Sequence, residues 1–169
     1  IGVVDMVKRT ALVVGALGVV GRAMLNHLDG RADWDVVGLS RRAPDFRTEA
    51  RFHQLDLGDA EACRAVLGEL RDITHVFYCA YLPGPTFEAE AASNLAMLRN
   101  LMAGLEPVAT GLVHIQLIHG SKWYGCHVGP YRTPAREDDP RGTMPCFYFD
   151  QQDWLEDHQR GKRWSWSAL

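Results

Sequence analysis

Thr10-Ala11-Leu12-Val13-Val14-Gly15-Ala16-Leu17-Gly18-Val19-Val20-Gly21-Arg22 decides the fold of this chain. A short apolar run ends in Gly15, and Gly18 and Gly21 follow at three-residue spacing before an apolar-periodic segment through Met24, Leu25 and Leu28. That pattern predicts a strand, a tight turn and a helix. Gly15 permits the turn, Gly18 lets backbone amides approach a pyrophosphate, and Gly21 lets the helix pack close to the strand. The unpaired amides at the helix start favour negative charge, so Gly15, Leu17, Gly18, Val19, Val20 and Gly21 are candidate cofactor-binding residues. Lys8 and Arg9 before an apolar run also resemble the opening of a signal peptide, but no small-residue cleavage site follows and the amphipathic helix continues.

Composition sets the frame. The 169 residues are 47% hydrophobic and 23% charged, as in one globular domain with a real core. A formal net charge of -3 argues against a nucleic-acid or membrane-surface binder, which would present a basic face. No apolar run approaches the roughly 20 residues needed to cross a bilayer. Cys63, Cys79, Cys126 and Cys146 are scattered and fit neither a zinc site nor a disulfide framework, so we expect reduced thiols, a cytoplasmic compartment and no metal.

Further strands and helices alternate after the first unit. Trp34 to Leu39 reads as a second buried strand running into Ser40-Arg41-Arg42. In NAD-binding folds an acidic residue roughly 20 positions beyond the glycines holds the ribose 2'-hydroxyl. Here Ser40 stands at that place with Arg41 and Arg42 behind it, and a hydroxyl with guanidinium groups suits a 2'-phosphate, so NADP is the expected cofactor. An arginine pair on a loop is otherwise an ordinary solvated feature.

Arg51 to Leu55 predicts a third strand ending at Asp56 and Leu57. A helix follows, with Asp59 as its cap and Ala62, Val66, Leu67 and Leu70 as its apolar positions. Ile73 to Ala80 predicts a fourth strand, leading into the loop Tyr81-Leu82-Pro83-Gly84-Pro85. Asp56, Leu57, Cys79, Ala80 and Tyr81 thus fall at carboxyl ends of strands, where open α/β sheets bind ligands, and are further cofactor-binding candidates. A helix from about Phe87 to Leu105 carries Leu95, Leu98, Leu101 and Met102 on its apolar face; its Asn94 is either a polar group near the cofactor or a residue on the wet face.

Leu112 to Ile118 is a fifth strand. Residues 119–146 are rich in Gly, Pro and charge, and a segment that long without periodicity is read as a functional loop. Phe147 to His158 predicts a helix, and Trp164-Ser165-Trp166-Ser167 opens another strand. The expected architecture is a Rossmann-like, doubly wound parallel α/β sheet forming one NAD(P)-binding domain over residues 1–169.

Several segments together resemble the progesterone 5β-reductase and iridoid synthase-like enzymes, atypical extended short-chain dehydrogenases/reductases. They are Gly15-x-x-Gly18-x-x-Gly21, Ser40-Arg41-Arg42, Ser121-Lys122-Trp123-Tyr124-Gly125, Thr133-Pro134-Ala135-Arg136-Glu137, Phe147-Tyr148-Phe149-Asp150-Gln151-Gln152-Asp153 and Trp164-Ser165-Trp166-Ser167. In ordinary members of that superfamily the catalytic tyrosine and lysine lie four apart on one helix. Here Gln152 stands four after Tyr148, and the resemblance places the lysine at Lys122, after the fifth strand.

The resemblance implies NADPH-dependent reduction of the carbon–carbon double bond of enones, with catalytic Tyr148 and Lys122 and a small-molecule partner rather than a nucleic acid or membrane. Hydride adds to the β-carbon and charge builds on the carbonyl oxygen, which preorganised donors must stabilise. A phenol neutral at pH 7 and an ammonium are the residue types required. Taken without the resemblance, Tyr148 among Phe147 and Phe149 would be a core aromatic and Lys122 a solvated lysine. Trp123 and Tyr124 either wall the nicotinamide or pack the loop. The family usually has Asn before the Phe-Tyr pair and a second Tyr after it, where this chain has Cys146 and Phe149. It also continues with further strands and a substrate-binding region, so a truncated form is expected, with an uncovered sheet edge that a homodimer would bury. Two alternatives stand beside enone reduction: a carbonyl reductase or sugar epimerase/dehydratase, and a non-catalytic NADP-binding fragment.

Overall fold

The computed structural model describes residues 8–169, so the first seven residues of the expected domain lie outside the described residues. Strand β1 (Arg9–Val14) alternates its side chains across the sheet: Leu12 and Val14 enter one core, Ala11 and Val13 the other. Both cores are apolar, so this strand reads as one hydrophobic run, the mark of a sheet covered on both faces. Helix α1 (Val19–Leu28) buries Gly21, Leu25 and Leu28 against the second face.

The remaining elements are β2 (Trp34–Ser40), β3 (Arg51–Gln54), α2 (Ala60–Leu67), β4 (His75–Tyr78), α3 (Phe87–Leu105), β5 (His114–Leu117), α4 (Phe147–Gln159) and β6 (Ser165–Ala168). All strands pair in parallel, in the order β3-β2-β1-β4-β5-β6. The expected Rossmann-like sheet is therefore present. Chain order reverses direction between β1 and β4, which opens a crevice at their carboxyl ends. The register there is specific: Val14 pairs with Leu39 on one side and Tyr78 on the other. Gly15, Ser40 and Cys79, the next residue of each strand, therefore meet along one edge.

Helices α2, α3 and α4 cover the first face, packing Leu67, Leu98, Leu101, Met102 and Leu155 on Leu12, Val76 and Ile115. Asp59 caps α2 by accepting from the amides of Glu61 and Ala62, both at 3.0 Å, as its sequence position suggested. Thr86 caps α3 through the amide of Ala89 at 3.2 Å.

Strands β4 and β5 are shorter than Ile73 to Ala80 and Leu112 to Ile118 because their flanks turn away. Leu112 donates back to Ala109 at 3.0 Å, and Ala80 lies beside Gly15, where the chain leaves the sheet. Leu95 is only partly buried, while Met97 takes a place in the core. No described helix is long and apolar enough to cross a membrane.

Candidate functional site

The glycine turn is built as its spacing requires. Gly15 takes φ +80°, and a Cβ on it would stand 2.8 Å from the amide nitrogen of Ala80. The amides of Gly15 and Ala16 both donate to Leu39 O, at 2.9 and 3.0 Å, and that of Gly18 to Gly15 O at 2.9 Å. No side chain caps the start of α1, and its first turn holds no acidic residue. Its amides therefore remain as donors at the positive end of the helix. A Cβ on Gly18 would approach Gly15 O at 3.3 Å, a tight contact that would crowd the turn.

Above this turn lies a cavity of about 570 Å³ at the crevice between β1 and β4. Gly15, Leu17, Gly18, Val19, Val20, Ser40, Arg41, Arg42, Asp56, Leu57, Cys79, Ala80 and Tyr81 line it, together with Lys122 and Tyr148. Gly21 stands behind it, packed on Gly15. Arg41 and Arg42 are exposed, and Asp45, the acid nearest to them in sequence, pairs with Arg22 on α1. Apolar Leu39, Leu55, Leu82, Met97, Ile118 and Phe147 complete the wall. Leu39, Leu55 and Ile118 stand at strand ends and Leu82 in the loop after β4, but without a cavity to show it they looked like ordinary apolar positions, as did Met97 and Phe147 on their helices.

Tyr148 is the second residue of α4, and its hydroxyl would meet a Cβ on Gly120 at 3.5 Å. The imidazole of His119 stacks on its ring at 4.4 Å between centroids. Burial raises the Tyr148 phenol above its ordinary pKa, Cys146 adds to the rise, and Lys122 opposes it. The phenol is therefore a proton-bearing donor at neutral pH. Burial, with a smaller contribution from Arg141, pushes His119 down to about 4, so its ring is neutral.

Lys122 sits on a 3-10 turn, Ser121–Tyr124, directly after β5. Its Nζ donates to Glu90 Oε1 at 2.9 Å and approaches the Tyr81 hydroxyl at 3.4 Å. Tyr81 in turn donates to Glu90 Oε2 at 2.8 Å. Sequence reading missed Glu90, yet it precedes Asn94, Met97, Leu98 and Leu101 at helical spacing, which places it on the buried face of α3.

Asn94 is not on the wet face, and it does not line the cavity itself but stands directly behind Leu82 of its wall. It is 0% exposed, and its amide accepts from Leu82 N at 2.9 Å and donates to Leu82 O at 2.6 Å and Glu90 O at 2.8 Å. Gln151 of α4 donates to Asn94 O at 3.1 Å. One buried network thus holds together the loop carrying Tyr81, helix α3 and the helix carrying Tyr148. Trp123 stacks on His119 and meets Phe149 edge-on, and Tyr124 stacks on Tyr131, so both pack the loop.

A family model described as the NAD dependent epimerase/dehydratase family matches residues 11–143. A short chain dehydrogenase, gsfE, of Penicillium aethiopicum is 34% identical over 95% of this chain and 46% of its own length. The (S)-8-oxocitronellyl enol synthase of Catharanthus roseus is 31% identical over 99% of this chain and 45% of its own. The 3-oxo-Delta(4,5)-steroid 5-beta-reductase of Arabidopsis thaliana is 32% identical over 95% and 45%. The resemblance carried by the motifs is thus borne out across nearly the whole chain, which spans about half the length of these relatives. A short-chain dehydrogenase/reductase superfamily structure from Agrobacterium tumefaciens, with bound NAD, superposes with a TM-score of 0.75 at 18% identity, covering 95% of this chain and 48% of that one. It shares the fold.

Proposed function

The chain belongs to the NAD dependent epimerase/dehydratase family, and from that premise we propose that it carries the cofactor site and catalytic pair of an NADPH-dependent enone reductase. The observation that carries the proposal is the meeting of Tyr148 from α4 and Lys122 from the turn after β5 in the cavity that the glycine turn opens.

The residues fit a dinucleotide. Amides at the start of α1 would hold the pyrophosphate, and Ser40, Arg41 and Arg42 would hold a 2'-phosphate through charge-assisted hydrogen bonds. When bound, the dinucleotide supplies hydride for the β-carbon of the enone. The electron pair of the double bond then moves toward the carbonyl oxygen. Tyr148 donates its O–H to that oxygen, and the Lys122 ammonium lowers the energy of the developing negative charge. Tyr81 and Phe147, stacked at 5.1 Å, form an aromatic wall for a planar conjugated substrate. A proton from solvent then adds to the α-carbon of the enolate and gives the saturated ketone.

A carbonyl reductase or sugar epimerase would use the same fold and cofactor. The position four after Tyr148 favours enone reduction, because Gln152 stands where those enzymes place a lysine on the helix. The test is product analysis with NADPH and 2-cyclohexenone. Cyclohexanone supports the proposal and 2-cyclohexenol opposes it. NADPH binding without consumption favours a nucleotide-binding fragment.

A further inference from the structure

Glu90 is a carboxylate only 8% exposed on the buried face of α3, and its two side-chain partners both line the cavity. Its Oε1 takes Lys122 Nζ at 2.9 Å and its Oε2 takes the Tyr81 hydroxyl at 2.8 Å. A carboxylate so buried persists because it is paired, and here both of its oxygens are. Lys122 needs such an anchor. It sits on one short turn of a long loop, and a flexible four-carbon stem does not fix an ammonium by itself. Its Nζ instead lies over the rings of Tyr81 and Phe147, 5.1 and 5.5 Å from their centroids, and is held by Glu90.

We propose that Glu90 is a positioning residue for Lys122: with Tyr81 it fixes the ammonium at the cavity mouth and balances its charge, fitting the site to a neutral conjugated ketone rather than a carboxylate-bearing substrate. The inference rests on the reading of Lys122 as a catalytic group.

The groups facing Lys122 are Glu90 from α3, Tyr81 from the loop after β4, and Cys146 and Tyr148 from the start of α4. Burial raises the Cys146 thiol and the Tyr148 phenol, so both are neutral. Lys122 and Glu90 therefore supply the charge in this group, and the carboxylate behind Lys122 offsets the positive charge that would otherwise draw an anionic substrate into the cavity. Burial alone would depress the Lys122 pKa, but the hydrogen bonds and charge of Glu90 and Tyr81 outweigh it and raise the pKa. Removing Glu90 takes away the larger part of that compensation, leaves only Tyr81, and so lowers the pKa.

The test reads Lys122 without turnover. Acetic anhydride labelling followed across pH by mass spectrometry compares Lys122 with Lys8, paired to Asp35, and Lys162, paired to Glu106. In a Glu90→Gln chain with native circular dichroism, the labelling profile of Lys122 moves to lower pH, by about threefold or more in rate near pH 8. Profiles of Lys8 and Lys162 stay in place. An unmoved Lys122 profile overturns the proposal. If Glu90→Gln does not fold, the unaltered chain decides: Lys122 must label more slowly than exposed Lys8, and equal rates overturn the proposal. Wherever enone turnover is measurable, the alkaline fall of activity also moves to lower pH in Glu90→Gln, which a merely structural role would not cause. A labelling shift with full turnover in Lys122→Ala would sustain the anchoring and defeat the catalytic reading instead.

Discussion

Gly21 faces the carbonyl oxygen of Gly15 so closely that a Cβ built on it would lie 2.2 Å from that oxygen. The contact sets helix α1 against the turn that ends β1, and so aims the amides of its first turn into the cavity. Gly21→Ala forces α1 outward, costing about 3 kcal/mol by overpacking. Urea denaturation should show that loss, and equilibrium titration should show weakened nucleotide binding. Unchanged stability and affinity would mean that the close approach does not shape the site.

Cofactor choice is expected to depend on the end of β2. Ser40, Arg41 and Arg42 line the cavity there, and the end of β2 itself carries no carboxylate. Replacing both arginines by Ala should weaken NADPH binding by roughly 10- to 100-fold, the value of one or two charge-assisted hydrogen bonds, and leave NADH little changed. Ser40→Asp should reverse the preference. Fluorescence titration with both nucleotides checks this, and equal losses for the two would contradict it.

Acid stability is expected to register His119. Its folded pKa, about 4, lies below the ordinary histidine value of about 6.5, so the unfolded chain binds the extra proton first as pH falls. The stability this group contributes is present above pH 6.5 and is lost progressively between about 6.5 and 4, on the order of 3 kcal/mol. Burial also depresses His75 and His114, which act in the same direction. His119→Phe keeps a ring beside Tyr148 and should flatten part of that pH dependence in thermal melts. An identical slope in the variant would contradict the depressed value.

Asn94 holds the loop of Tyr81 by two bonds to the Leu82 backbone. Asn94→Leu leaves that half-buried N–H and C=O without their partner and should cost about 2–4 kcal/mol in urea denaturation. A loss below about 1 kcal/mol would show that the loop is held by other contacts.

Much of this was legible in the sequence because local rules and tertiary structure agree. The glycine spacing, the Asp59 cap and the Phe87 to Leu105 periodicity each specify a conformation from neighbours a few residues apart. Asn94, Glu90 and His119 were not legible in this way. Their roles depend on Leu82, Lys122 and Tyr148, which lie on other elements and arrive only when the sheet is assembled. Lys122 was found through the motif around it, since a lysine in a Gly-rich loop has no periodicity that places it in a cavity. The strand ends were read too long because apolar residues continue past the last ladder hydrogen bond into the cavity wall.

NADPH oxidation with 2-cyclohexenone, in the chain as it stands and in its Tyr148→Phe and Lys122→Ala variants, puts the catalytic pair to the test, with nucleotide affinity measured in each. The expected result is preferential NADPH binding in all three and turnover reduced about 100-fold or more in both variants. Undiminished turnover in either variant, or a folded chain that binds neither nucleotide, would contradict it.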